Sequence, residues 1–183
     1  MKNVSFNAPW GAPLTLMTAV CSVICLFLPV PGVMIALGGA AALRAQGMSM
    51  IPPWAGWLLV AIPLLTLVGS AAFMVRGYVL TDTSLIIKRL GWESRLDLSR
   101  LNSATVDPDA FRRSLRLFGN GGFFSFTGWF RNKKLGIYRA YATDTRRAVV
   151  LRFSDRTVVI TPDDPQKFAA EINARKDQKK GDY

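Results

Sequence analysis

Charge in this chain is confined almost entirely to one side of Arg76: Lys2 and Arg44 are the charged residues before it, and thirty-three follow from Arg76 onward. A chain divided in this way is part membrane and part water-soluble. The division predicts a two-helix membrane hairpin over residues 1–75, one globular domain over 76–176, and a flexible basic tail over 177–183. About a hundred residues suffice for one small domain with its own core and leave no room for a third module.

The soluble part holds 21 Lys and Arg against all 12 acidic residues, about +9 of the +11 total. Such an excess suits a surface facing anionic lipid or another polyanion. Histidine is absent, which removes the commonest general base and the commonest metal ligand. Cys21 and Cys25 both lie in the apolar part at helical i,i+4 spacing, so the soluble domain holds neither a disulfide staple nor a cysteine zinc site. No cofactor is expected.

Leu14 to Leu37 is uncharged over 24 residues and Trp54 to Val75 over 22, and a bilayer core needs about 20 helical residues. A cleaved signal peptide fits the first stretch poorly, since its apolar run exceeds the usual 7 to 15 residues or so and a single lysine precedes it. Pro29, Pro31 and Gly32 interrupt the first segment and Pro63 the second, which predicts kinked helices. With no ionisable group inside either span, anchoring explains them better than a transport path. Small residues from Gly38 to Ala42 permit close helix packing, within the hairpin or between copies. Arg44 is the one charge in the connection from Arg44 to Pro53, whereas Arg76, Lys88 and Arg89 follow the second span and Lys2 precedes the first, so both termini are expected in the cytoplasm. Trp10 on one side, with Trp54 and Trp57 on the other, sits where aromatic belts form.

From Tyr78 the apolar period becomes two. Strands are expected at Tyr78–Thr81, Ser84–Arg89, Glu93–Leu98, Leu101–Val106, Gly136–Ala142, Ala148–Phe153 and Thr157–Thr161, with hairpin turns at Leu90–Trp92 and Ser154–Arg156. Seven short strands in succession predict an antiparallel sandwich or partly open barrel. A single helix closes the chain: Asp163 or Asp164 can cap it, Pro165 fits its first turn, Phe168 and Ile172 form an apolar i,i+4 pair, and Arg175, Lys176, Lys179 and Lys180 load its far end. Such a helix needs a sheet to cover.

The run Tyr78-Val79-Leu80-Thr81-Asp82-Thr83-Ser84-Leu85-Ile86-Ile87, then Asp97-Leu98-Ser99-Arg100-Leu101, resembles the opening of bacterial pleckstrin-homology (PH)-like domains. More specific are Arg116 to Phe124, Thr127-Gly128-Trp129-Phe130, Tyr138, Tyr141-Ala142-Thr143-Asp144 and Ile160 to Pro165, which resemble a subfamily of membrane-tethered bacterial PH-like domains over nearly all of Arg76 to Arg175. The resemblance implies a seven-stranded sandwich capped by a C-terminal helix, often behind two transmembrane helices, in the bacterial inner membrane. It implies little about activity, because one fold hosts many roles.

Phe118, Phe123, Phe124, Phe126, Trp129 and Phe130 crowd thirteen positions, flanked by Arg112, Arg113 and Arg116 before and by Arg131, Lys133 and Lys134 after. Phe123, Phe124 and Trp129 could dip into a bilayer while the cations hold headgroups, each worth about 1 kcal/mol near an anionic surface; alternatively the aromatics fill a core and the charges are solvated. The same segment is where a partner protein would dock, since aromatics and arginines dominate binding hot spots. Lys88, Arg89 and Arg95 around Gly91 form a weaker basic turn, resembling the basic loop with which some PH domains hold phosphoinositides, against which stands a simple solvated face.

Other chemistries fit less well. Gly119 to Gly122 lacks the lysine and hydroxyl residue of a P-loop and reads as a turn needing positive φ. Nucleic acid is not expected, because a tethered domain meets lipid phosphate at far higher local concentration. Asp107 with Asp109, in a turn, and Asp163 with Asp164, at a helix cap, are explained without catalysis. The expectation is a non-catalytic, membrane-anchored binding module for anionic lipid or a protein partner, the alternative a self-associating subunit of a membrane assembly or transport-associated complex.

Overall fold

The computed structural model describes residues 3–39 and 52–181. Lys2, Arg44 and most of the connection that set the expected orientation lie outside the described residues, as do Ala40 to Ala42, Asp182 and Tyr183. Two compact units emerge, one of Thr18–Ala71 and the other of Met1–Met17 with Ala72–Tyr183.

The smaller unit is helical. Helix α1 (Ala12–Phe27), which begins in the other unit, gives way at Leu28 to α2 (Pro29–Met34) and a π-helical turn (Ile35–Gly39), and α3 (Pro53–Ala72) carries Pro63 in its interior. Ala12–Leu37 and Trp54–Ala72 are both long and apolar enough to cross a membrane. In each, about 11% of the apolar window is buried, whereas the core helix of a soluble protein is mostly covered. α2 and α3 approach at Gly32 and Gly56: a Cβ on Gly32 would meet Leu59 Cβ at 2.9 Å, and one on Gly56 would meet Ala36 N at 2.6 Å. Close helix packing is thus seen at Gly32 and Gly56, whereas Gly38 to Ala42, where it was expected, lies partly outside the described residues.

The larger unit contains ten strands among the described residues rather than the seven expected. β1 (Val4–Asn7), β2 (Val75–Leu80), β3 (Ser84–Arg89) and β4 (Glu93–Asp97) make one sheet in that order. The second sheet comprises β5 (Leu101–Val106), β6 (Leu115–Gly121), β7 (Phe126–Asn132), β8 (Gly136–Ala142), β9 (Val149–Phe153) and β10 (Thr157–Ile160), ordered β5-β9-β10-β8-β7-β6. All seven expected strands are present; β1, β6 and β7 are additional. The pairing is antiparallel except between β8 and β10, because β9 and β10 form a hairpin that lays β10 alongside β8 in the same direction. β2 begins at Val75, three residues ahead of expectation and three residues beyond the end of α3.

Period-two alternation aims one face of each sheet at a shared core. Tyr78, Leu80, Leu85 and Ile87 meet Leu101, Leu151, Val158 and Ile160 from the other sheet, with Phe168 and Ile172 of helix α4 (Pro165–Gly181). Asp164 caps that helix by accepting from Lys167 N at 2.9 Å, with Pro165 as its first residue. A second cluster, including Ala110, Phe130, Tyr138, Val150 and Val159, covers the far face of the larger sheet.

β1 was not anticipated. Val4 to Asn7 pair antiparallel with Leu80 to Gly77, and Phe6 is buried edge-on against Phe168 at 5.0 Å. The segment before α1 is therefore part of the same sheet as the segment after α3. Between the sheets, the fully buried Tyr78 hydroxyl donates to Tyr141 O at 2.6 Å and accepts from Thr161 N at 3.1 Å. Burial pushes its pKa up to about 12, against the opposing pull of the Thr161 hydrogen bonds.

Removing residues 1–8 from the full chain in detergent is expected to lower the thermal midpoint of the β domain, since burial of Phe6 alone is worth about 2 kcal/mol; an unchanged midpoint would refute a structural role for β1. The Tyr78 phenol ionises more readily in the unfolded chain than in the folded one. Its contribution is accordingly present below about pH 10 and lost as pH rises to about 12, at about 1.4 kcal/mol per pH unit. Tyr78→Phe should flatten that alkaline slope in near-UV circular dichroism while costing about 1–3 kcal/mol at neutral pH, because two buried backbone groups lose their partner.

Candidate functional site

Strand alternation gives β8 two faces. Tyr138, Ala140 and Ala142 turn towards the second core, while Ile137, Arg139 and Tyr141 share the opposite side. β7 lies beside it with Trp129 opposite Arg139 and Arg131 opposite Ile137, and β6 places Phe118 opposite Trp129 and Leu115 opposite Arg131. Leu115, Phe118, Trp129 and Ile137 are all exposed, Phe118 at 77%. The result is a surface on which apolar and cationic side chains alternate.

This surface continues inward as a chain of rings and guanidinium groups. Arg139 stacks over Trp129 at 5.8 Å and over Tyr141 at 5.1 Å. Arg89, at the end of β3, lies 5.2 Å from the same Tyr141 ring and 5.6 Å from both Phe73 and Trp92, which meet edge-on at 4.8 Å. Arg89 is 8% exposed, and its Nε has no hydrogen-bond partner. Burial pushes its pKa down, Arg139 adds in the same direction, and Tyr141 opposes both. Burial likewise raises the Tyr141 phenol, against the pull of Arg139, Arg89 and Arg156.

The basic turn expected at Lys88, Arg89 and Arg95 is thus divided by the pleat. Lys88 is exposed, and Arg95 is exposed with an ion pair to Glu93 at 3.8 Å, but Arg89 points inward between rings. Arg112 and Arg113 are exposed in the β5–β6 connection, where Arg113 adopts φ of 53°. Arg131 and Lys133 are exposed, and Lys134 is held by Asp107 at 2.6 Å. Arg116 donates to Gly119 O at 3.3 Å.

The aromatic cluster divides three ways. Phe130 is core, and Phe126 packs beside it. Phe123 and Phe124, half-buried in the β6–β7 turn, pack against each other at 4.8 Å with their planes tilted by 34°, and Phe124 meets Trp10 edge-on at 6.1 Å. Phe118 and Trp129 remain exposed. The turn also reaches Phe73 O through the Ser125 hydroxyl at 3.3 Å. Of the glycines, Gly119 lies within β6 opposite Gly128 of β7, with φ of 105° and 141°, and each Cα approaches the other strand's backbone too closely for a Cβ.

Sequence reasoning singled out Trp129 and Arg131 but passed over Arg139, Tyr141, Trp92 and Phe73 as site residues. A signal was present: within the expected strand Gly136–Ala142, period two already places Ile137, Arg139 and Tyr141 on one face. Among the described residues no three Cys, Asp or Glu side chains gather to hold a metal ion.

A family model described as Bacterial PH domain matches residues 76–176, more than half of the chain. No curated protein and no solved structure matches it.

Gly128→Val should destabilise the β6–β7 hairpin by about 1–3 kcal/mol, because a branched side chain enters both a positive-φ position and the backbone of Gly119. Hydrogen exchange of the β6 and β7 amides would show the loss; unchanged protection would contradict the close strand approach.

Proposed function

The chain belongs to the bacterial PH domain family, and from that premise we propose that it is a non-catalytic binding module, anchored by its two apolar helices at the cytoplasmic face of the bacterial inner membrane, that binds anionic lipid. The observation that carries the reading is charge in context. Residues 110–143 hold seven Lys and Arg and no Asp or Glu, and the same stretch exposes Leu115, Leu117, Phe118, Trp129 and Ile137. Cations interleaved with exposed apolar side chains suit a surface that is both negative and oily beneath its headgroups. Arg112, Arg113, Arg116, Arg131, Lys133 and Lys134 supply the charge, with Phe123, Phe124 and Trp129 among the aromatics; Lys88 and Arg95 add a lesser patch.

Anchoring draws support from the uncovered apolar surface of both helices. The pairing of β1 with β2 supports placing both flanks of the helical segment on one side of the bilayer, because a ladder cannot form across it.

A second reading, self-association or docking of a partner protein, is favoured by β6. It is the edge of its sheet and exposes Leu115, Leu117 and Phe118, a kind of edge that soluble proteins usually protect.

Native mass spectrometry of the full-length protein, released from detergent with equal phosphatidylglycerol and phosphatidylcholine, tests the first reading. Phosphatidylglycerol should be retained preferentially, and reversing Arg112, Arg113 and Arg131 to Glu should cut that preference at least tenfold, at about 1 kcal/mol per charge removed. Equal retention of the two lipids at low salt would sink the lipid reading. A strict monomer by light scattering in detergent would remove self-association.

A further inference from the structure

We propose that Arg89 and Arg139, both stacked on Tyr141, form a binding site for one phosphate-type oxyanion, supplied as the phosphate ester of a lipid headgroup or of a small soluble ligand. Three observations converge on it. A guanidinium as buried as Arg89 has lost most of its water, a loss of several kcal/mol that proteins ordinarily offset with a carboxylate. No carboxylate makes an ion pair with Arg89 or Arg139 among the described residues. The rings of Phe73, Trp92 and Tyr141 stabilise the cation from its faces, yet they leave the in-plane Nε–H donor without an acceptor.

The second observation is that the charged side chain acting on Arg89 is another cation, Arg139. Arg139 stacks on the same tyrosine, and Arg156, 5.5 Å over Phe153, also acts on that phenol. Like charges gathered without a counter-ion are stabilised by an anion that binds among them. Two planar guanidinium groups, 5.2 and 5.1 Å from the Tyr141 ring centre, carry several N–H donors between them, which suits the several oxygens and the one to two charges of a phosphate ester.

The third is access. Arg139 is exposed, and Trp92 and Phe73 are both partly open, so the site has a buried end at Arg89 and an accessible end at Arg139. Phe73 is the residue directly after α3. For a spanning α3, Phe73 occupies a place in the chain where interfacial aromatics are found. The lipid source rests on the anchoring proposed above; the oxyanion site does not.

The test uses the full-length protein in a neutral detergent. In the soluble arm, tryptophan fluorescence is titrated with inorganic phosphate and with glycerol 3-phosphate. In the lipid arm, native mass spectrometry compares phosphatidic acid with diacylglycerol of the same acyl chains, which differ by the phosphate alone. Retention of phosphatidic acid over diacylglycerol is expected, weakened at least fivefold by Arg139→Gln and at least threefold by Arg89→Lys, which keeps a cation but removes the fork. Saturable binding in both arms means that any phosphate ester is accepted, and binding in the lipid arm alone identifies the headgroup as the source; each supports the site. Should Arg89→Lys fail to fold, Arg139→Gln at the exposed end decides. The proposal is overturned by no preference for phosphatidic acid together with no saturable response to either soluble phosphate, or by binding that both variants leave within twofold. Phosphatidylglycerol retention that responds to Arg112, Arg113 and Arg131 but not to Arg89 or Arg139 would overturn this site and leave the surface reading intact.

Discussion

The hydroxyl of Tyr78 joins the two sheets, and the placement of the site depends on that junction. One oxygen serves a carbonyl of β8 and an amide just past β10, so β2 is held in register with two strands of the other sheet. Around it, apolar burial supplies most of the stability, but burial alone is indifferent to sliding. A buried hydrogen-bonding group with both partners satisfied is not, because each misregistered arrangement leaves polar atoms without partners. Since Tyr141 supplies the carbonyl, the same contact that aligns the sheets also fixes the ring on which Arg89 and Arg139 stack.

β8 shows how one strand serves the core and the proposed site with a single repeat. Its even-numbered residues Tyr138, Ala140 and Ala142 are buried on one side, and its odd-numbered residues carry the ring and cation that face Arg89. A one-residue slip would exchange the two sets, disrupting the proposed site and the core together. The basic face is therefore as tightly specified as the hydrophobic interior.

Much of the fold was legible because it obeys local rules. β3 alternates cleanly, β9 and β10 are short apolar runs on either side of a turn, and Asp164-Pro165 marks the start of α4 before any tertiary contact is considered. β6 and β7 were hidden because their register shifts between Arg116 and Phe118 and because glycines occupy Gly119, Gly121 and Gly128, so neither the period nor the propensity is regular. β1 was hidden for another reason: four residues ahead of a long apolar helix carry almost no pattern, and their partner lies far along the chain. The exposed cations at Arg112, Arg113 and Arg131 could be named from composition. The inward turn of Arg89 could not, because its environment is assembled from Phe73, Trp92 and Tyr141, three separate parts of the chain.

The ladder between β1 and β2 makes the whole apolar segment an insertion between two neighbouring strands. During synthesis Val4 to Asn7 emerge long before Val75 to Leu80, so the first strand must wait, unpaired, until both helices have been made. Under the proposed anchoring, a hairpin threaded the wrong way would strand the two partners on opposite sides of the bilayer. The sheet would then lack an edge, Phe168 would lose its aromatic neighbour, and the β domain would be open to proteolysis. Under that anchoring, completion of the β domain would depend on the two helices having been inserted the right way round.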